Sequence, residues 1–420
     1  MIANTNDGLV GYRRVGGGAG AVIVPDLAVA IPTPTDGGRT YTFQVRRGIS
    51  YSTGGTVKPS DFRFALERSL AVPNGPAGFF LTSLVGAKQC LTGSARCSLA
   101  KGVVADDNAG TVTFHLVRPD WNLLDELSLP FADAVPPGTP APARGSAVPA
   151  TGPYQITTYA PNHGLTLTRN PRFKEWSSQA QPAGFPDRIT WQLNLSDAEQ
   201  LSMIAKGGLD AALGDPNQAG QDPLVTRLAS RFPDQAHTYT RVQVTAFLLN
   251  ARTPPFDNAL VRQAVNLAVD RRKALLAVGG PSAGEITCQV LPPNIPGYRP
   301  YCPYTTDVSD SGGTWSGQDL ARARQLVAQS GTSGEAVTVR SSAKDKSFAG
   351  VLVSALRSLG YHVRLIAHGD PSAYFSLVYS PTGVQAGPYG YVDDYPAPAD
   401  FLKLQLACGS PANVSHFCDP

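Results

Sequence analysis

Few residues in this chain have the types and spacing that chemistry needs. Gly280-Pro281-Ser282-Ala283-Gly284 spells Gly-x-Ser-x-Gly, which can hold a nucleophilic serine on a strained turn between a strand and a helix. Here a helical pattern precedes Ser282 and a proline-rich loop follows, so it reads as an ordinary turn residue. The histidines are His115, His163, His237, His362, His368 and His416. None forms an i, i+4 pair around a carboxylate, the spacing of a helical zinc site, so they read as structural or surface residues. Asp307 to Gly313 opens like a calcium loop, but serines stand at its third and fifth positions and no glutamate closes it. Asn194-Leu195-Ser196 and Asn413-Val414-Ser415 match the glycosylation acceptor pattern, which is frequent by chance. Asp394, ahead of Tyr395-Pro396, reads by residue type alone as a loop aspartate in a turn. No motif for a cofactor is present.

The cysteines fall in three close pairs, Cys90 and Cys97, Cys288 and Cys302, Cys408 and Cys418. None has the CxxC spacing of a zinc ribbon. Three local disulfides need the least rearrangement of the chain; free buried thiols are the alternative, and many connectivities are possible on paper. Disulfides would put the protein outside the cytoplasm.

Composition sets the frame around these residues. A length of 420 residues predicts two or three domains, and 42% hydrophobic with 16% charged residues supplies real cores. The 42 glycines and 36 prolines predict many stiff loops. A net charge of +3 with no basic run excludes a nucleic-acid partner. There is no apolar run of about 18 residues to span a membrane. The N-terminus, MIANTNDGLVGYRR, lacks the charged and apolar regions of a signal peptide.

Several elements are legible by period. Tyr41, Phe43 and Val45 alternate with polar residues, and so do Val112, Phe114 and Leu116. Leu165 to Arg169 and Ile189 to Leu195 read as further strands. Pro59 to Leu70 is an amphipathic helix opened by proline. Lys58-Pro59 supplies no N-cap side chain, which leaves the cap to Ser60. Ala198 to Ala205 is helical, and Val135 to Pro149 is a proline-rich linker. Ala246 to Ala251 is extended, and Asp257 to Leu276 is one helix capped by Asp257, with Leu260, Val261, Ala264, Val265, Leu267 and Ala268 on its buried face. Asp319 to Ser330 is a helix stopped by Gly331. Strand 336–340, helix 348–359 and strand 362–366 form an α/β unit.

The literal strings add to this. Asp7-Gly8-Leu9-Val10, Pro25-Asp26-Leu27-Ala28, Tyr41-Thr42-Phe43 with Arg46-Arg47-Gly48, Gly152-Pro153-Tyr154, Arg169-Asn170-Pro171, Gly208-Leu209-Asp210-Ala211, Pro254-Pro255-Phe256-Asp257 with Val261-Arg262-Gln263-Ala264, and Gly390-Tyr391-Val392-Asp393-Asp394 occur in that order. This series closely resembles the extracellular solute-binding proteins of ABC importers, in the peptide-binding branch called family five.

The resemblance implies an α/β, two-lobed, periplasmic-binding-protein-like fold of type II (cluster C-like) with an extra small domain. Residues 1–20 and 146–246 would belong to the first lobe, 21–145 to the extra α/β subdomain, and 247–420 to an incomplete second lobe. It also implies capture of a peptide or similar small solute in an interlobe cleft, delivery to an ABC permease in the membrane, an extracytoplasmic setting, and no catalysis. Family members extend beyond both ends of this stretch, so the chain reads as truncated, with apolar surface left exposed on the first lobe. A ligand-sensing module of a larger regulatory protein is the alternative. In peptide-binding members the aspartate aligned with Asp394 pairs with the ligand's α-ammonium. The backbone before it, here Gly390, Tyr391, Val392 and Asp393, hydrogen-bonds the peptide as an added strand.

Overall fold

The computed structural model describes residues 2–72, 75–91, 97–140, 147–212, 223–237, 241–309, 312–410 and 412–418. The linker 135–149 and the loop 307–313 therefore lie partly outside the described residues. The chain divides into two compact units, Met1–Leu195 and Ser196–Pro420.

In the first unit the described strands form three small antiparallel sheets. β1 (Val10–Tyr12) pairs with β2 (Ile23–Pro25). β3 (Thr40–Gln44), β4 (Val103–Asp106) and β5 (Thr111–His115) form a sheet in the order β3-β5-β4. The alternation in β3 buries Tyr41 and Phe43, and Phe43 meets Phe114 of β5 edge-on at 5.6 Å. α1 (Pro59–Leu70) covers the same core with Phe62, Ala65, Leu66 and Leu70. Its N-terminus is not served by Ser60, whose N–H and hydroxyl donate to Asp107 at 2.9 and 2.8 Å. Asp61 takes that role: its carboxylate accepts the Lys58 N–H at 3.0 Å and the Tyr51 hydroxyl at 2.9 Å. A carboxylate three residues into a helix reaches the free N–H groups that a lysine side chain cannot serve.

β6 (Tyr154–Ala160), β7 (Gly164–Arg169) and β8 (Arg188–Gln192) make the third sheet, with a bulge between Ile156 and Thr158. β8 ends before Asn194, which has a φ of 61°.

The second unit opens with the capped helix α2 (Asp197–Ala205), whose Ser196 accepts from Glu199 N–H. Its sheet has the order β11-β10-β12-β9, with β9 (Gln243–Leu249), β10 (Ala336–Ser342), β11 (His362–His368) and β12 (Ala386–Val392). β10 runs parallel to β11 and β12, and β9 runs antiparallel to β12. The predicted helix 257–276 is two helices, α3 (Ala259–Ala268) and α4 (Arg271–Ala277). Asn258, not Asp257, caps α3 by accepting the Leu260 N–H at 2.9 Å. Asp270 breaks the run. Its carboxylate accepts the Arg272 and Lys273 N–H groups, each at 3.1 Å, and starts a new helix while Val269 is extended. An aspartate gains more as a cap than inside a helix.

α5 (Leu320–Ser330) is capped by Asp319 and ends at left-handed Gly331, φ 70°. α6 (Lys346–Ser358) buries Phe348, Leu352, Val353 and Leu356, and its core continues into Val337 and Val339 of β10. α7 (Pro371–Val378) and α8 (Pro398–Leu406) flank β12 in sequence.

Cys90–Cys97, Cys288–Cys302 and Cys408–Cys418 are disulfide-bonded. Each closes a short loop, which stabilises by restricting the unfolded chain by about 2–3 kcal/mol in the loop-entropy model. Replacing Cys288 and Cys302 together by serine should lower the unfolding free energy by that amount and shift the urea midpoint downward accordingly. An unchanged midpoint would contradict the stabilising role.

In the first unit Asp7, Asp26 and Asp133 are buried together. Asp7 accepts from Thr151 Oγ1 and Gln181 Nε2, each at 2.5 Å, and Asp26 accepts from Trp176 Nε1 at 2.7 Å. Burial pushes the Asp7 carboxyl up to about 6 and holds Asp26 and Asp133 well above the ordinary range, reinforced for the latter two by the neighbouring carboxylates. A carboxyl whose pKa is raised by folding is harmless when both states are protonated and costs stability once both are ionised. These groups therefore remove stability as pH rises from about 4 through about 6 and beyond. Asp133→Asn should melt at a higher temperature than wild type at about pH 7.5 and together with it at about pH 4. A lower melting temperature at the higher pH would refute this.

Candidate functional site

The candidate site lies at the end of β12, where Gly390, Tyr391 and Val392 finish the strand and Asp393 and Asp394 follow. β12 pairs with β9 from Ala386↔Leu249 to Val392↔Gln243. The ladder extends at both ends, through Asn250 N–H to Gln385 C=O at 3.0 Å and Asp393 N–H to Val242 C=O at 2.9 Å. In an antiparallel pair, residues that exchange hydrogen bonds alternate with residues that face away. The end bonds at 385 and 393 set the phase, so Gly387, Tyr389 and Tyr391 turn their backbone groups toward β9. Ala386, Pro388, Gly390 and Val392 turn theirs to the other side.

That other side is only partly occupied. Ala386 bridges to Val339 of β10, the register position the two strands share. Pro388 has no N–H, and its carbonyl accepts from the Tyr374 hydroxyl at 2.6 Å. Beyond it, no strand among the described residues pairs with Gly390 or Val392 on that edge. A methyl group at Gly390 would meet only ordinary contacts, the nearest being Val244 O at 3.6 Å. The fold does not require glycine there; what glycine provides is close access to the backbone.

The side chains after the strand are anionic. Tyr391 packs edge-on against Phe401 of α8 at 5.2 Å, in a cluster with Val244 and Ile295. Its hydroxyl lies 2.9 Å from Asp394 Oδ2 and 3.1 Å from Asp400 Oδ1. Asp400, in the first turn of α8 and fully buried, accepts the Asp394 N–H on Oδ2 at 2.7 Å. Burial pushes the Asp400 carboxyl up to about 7, helped by the charge of Asp394 and opposed by the Asp394 and Tyr395 N–H groups and the Tyr391 hydroxyl. Asp394 is raised by partial burial and lowered by Tyr391, and Asp393 is raised by burial and then by Asp394. Among the described residues, no arginine or lysine contributes to any of the three. The phenol of Tyr379, exposed nearby, is raised by burial of its hydroxyl and then by Asp394.

The five residues singled out in the sequence thus share one strand end. Asp400 was missed. The available signal was an aspartate in the first turn after Pro398, which commonly means capping. The other candidate does not assemble: Gly280–Ser282 is a 3-10 turn that follows helix α4, so Ser282 lacks the strand an elbow requires. Among the described residues, no group of three or more His, Cys, Asp or Glu side chains is placed to hold a metal ion.

Comparison with known proteins identifies the family of the chain. The family model described as bacterial extracellular solute-binding proteins, family 5 Middle, matches residues 22–413. The periplasmic oligopeptide-binding protein OppA of Escherichia coli is 23% identical over 91% of this chain and 69% of its own length. A probable di/tripeptide-binding protein 5 of Pseudomonas aeruginosa is 25% identical over 95% of this chain and 74% of its own. Among solved structures, clavulanic acid biosynthesis oligopeptide binding protein 2 superposes with a TM-score of 0.82 at 24% identity, covering 100% of this chain and 78% of that one. With the match running through nearly every element described above, the chain belongs to the bacterial extracellular solute-binding proteins of family 5.

Proposed function

We propose that this chain captures peptides, or similar small solutes with a free amine, as the extracytoplasmic binding component of an ABC importer, and that it does no chemistry on them. The observation that carries this reading is the pairing of an open strand edge with an uncompensated carboxylate. Among the described residues no strand pairs with Gly390 or Val392 on that edge, and no cation accompanies Asp394 just beyond them. An extended peptide fits that pattern: its backbone pairs with the edge as an added strand and its ammonium meets Asp394. Backbone recognition leaves side-chain pockets loose, which suits a mixture of peptides. Relatives named for oligopeptides and for di- and tripeptides support the same solute class.

The lobe assignment belongs to this proposal. It takes 1–20 and 146–246 as a first lobe, 21–145 as an extra subdomain and 247 onward as a second lobe, although the β1–β2 sheet straddles its first boundary. β3, β4 and β5 with α1 keep to 21–145, and β6 to β8 keep to 146–246. β9, at 243–249, joins the sheet of the later residues, so the chain crosses over ahead of it.

The test is charge removal at both partners. Burying an ammonium without its carboxylate costs about 3–5 kcal/mol, so Asp394→Asn should weaken peptide binding about a hundredfold or more. N-acetylating the peptide should cost wild type a similar factor and the variant much less, because both changes remove one interaction. Losses that simply add would show that Asp394 does not hold the amine.

A further inference from the structure

The carboxylate that meets the ligand is itself held by a neighbour with one proton to give. A tyrosine hydroxyl donates one hydrogen bond and can accept others. Tyr391 Oη lies within reach of two carboxyl groups, Asp394 Oδ2 at 2.9 Å and Asp400 Oδ1 at 3.1 Å. If both were ionised, only one of these two oxygens could accept the Tyr391 proton. Asp400 Oδ2 is already occupied by the Asp394 N–H at 2.7 Å. Two arrangements close without a deficit, with the proton on Asp400 Oδ1 or on Asp394 Oδ2, and burial selects the first: Asp400 donates its proton to Tyr391 Oη, and Tyr391 donates its own proton to Asp394. The negative charge then sits at Asp394, which is solvent-exposed, and not at Asp400, which is fully buried. Burying a charge is the costlier choice.

The geometry points to Tyr391 and Asp400 as positioning residues for the ligand-binding carboxylate: Tyr391 fixes the orientation and ionisation of Asp394, and Asp400 stores the proton that allows it. The proposal rests on the reading of Asp394 as the ammonium acceptor. Burial supports the proton's location, since it pushes the fully buried Asp400 carboxyl up to about 7. The groups facing the pair are Asp393 beside Asp394 and the Tyr379 phenol, with the Tyr395 N–H on Asp400; none supplies positive charge. The chain therefore selects for a cationic end on its ligand. It does so by keeping an anion unneutralised and aimed, without adding a second charge beside it. Near neutral pH, loss of the stored proton would make two carboxylates compete for one hydroxyl.

Carbon-13 titration of the aspartate carboxyl groups in the whole chain tests this without any ligand. In wild type the Asp394 carbon should report two steps, its own and a second one near the pKa of Asp400, about 7. Asp400→Asn, whose amide can still donate to Tyr391, should remove the second step. Tyr391→Phe keeps the ring against Phe401 and should move the first step upward, because the hydrogen bond that lowers it is gone. Binding supplies the second arm, with an equimolar tripeptide mixture carrying free amines and the same mixture N-acetylated. Tyr391→Phe should weaken capture of the free-amine mixture about tenfold, the scale of one hydrogen bond to a charged group, and leave the acetylated mixture unchanged. An Asp394 step that does not move in Tyr391→Phe, or a near-neutral step that survives in Asp400→Asn, overturns the proposal. So does an equal loss for both peptide mixtures. Should Tyr391→Phe fail to fold, the Asp400→Asn titration decides alone. If instead Asp394→Asn binds peptides as wild type does, the ammonium reading fails while the titrations stand.

Discussion

The second unit is organised by how the backbone of β12 meets its hydrogen-bonding obligations. One edge of the strand is fully engaged by β9, and the ladder at Gln385 and Asp393 fixes which residues face which way. On the other edge β10 leaves after Ala386, and Tyr374 takes the carbonyl of Pro388. A half-paired inner strand would ordinarily be a liability, because an open edge invites unspecific pairing. Here only the last residues are open, and a cluster of carboxylates follows at once. Negative charge deters a second copy of the same edge, and it attracts a chain that brings an ammonium. In the proposed function, the same two features guard the edge and define its partner.

The electrostatics of the two units contrast in a useful way. Asp7, Asp26 and Asp133 are also carboxylates grouped together, yet they are buried, and two of them hold fixed hydrogen bonds to Thr151, Gln181 and Trp176. Burial raises their proton affinity, with the neighbouring carboxylates adding to it at Asp26 and Asp133, so we assign them to the structure. Asp394 differs in being reachable from solvent, with its carboxylate beside the Tyr391 hydroxyl, which also reaches Asp400. The distinction between a structural acid and a binding acid lies in exposure and in which hydrogen bonds remain to be made, not in residue type.

Much of this was legible in the sequence where the signal is local. The alternation of Tyr41, Phe43 and Val45 and the run of Val112 and Phe114 are strands because a half-buried sheet has period two. The region 257–276 was harder. Its apolar spacing continues through Val269 and Asp270, and only the competing preference of Asp270 for a cap divides it. The site was partly legible: the string from Gly390 to Asp394 could be matched to a family pattern. Asp400 could not, because its role depends on α8 turning back to place a buried carboxyl beside the Tyr391 hydroxyl. The partnership of Asp7 with Gln181 was hidden for the same reason, since it joins positions 174 residues apart.

The central claim is that the open edge of β12 receives a peptide as an added strand. Residue-resolved amide hydrogen exchange, with and without a free-amine tripeptide mixture, tests it directly. The amides of Gly390 and Val392 face the open edge, whereas that of Tyr391 is already bonded to β9. The account predicts that the mixture slows exchange at Gly390 and Val392 while Tyr391, already slow, changes little. Binding that leaves Gly390 and Val392 exchanging as fast as in the free protein would contradict it.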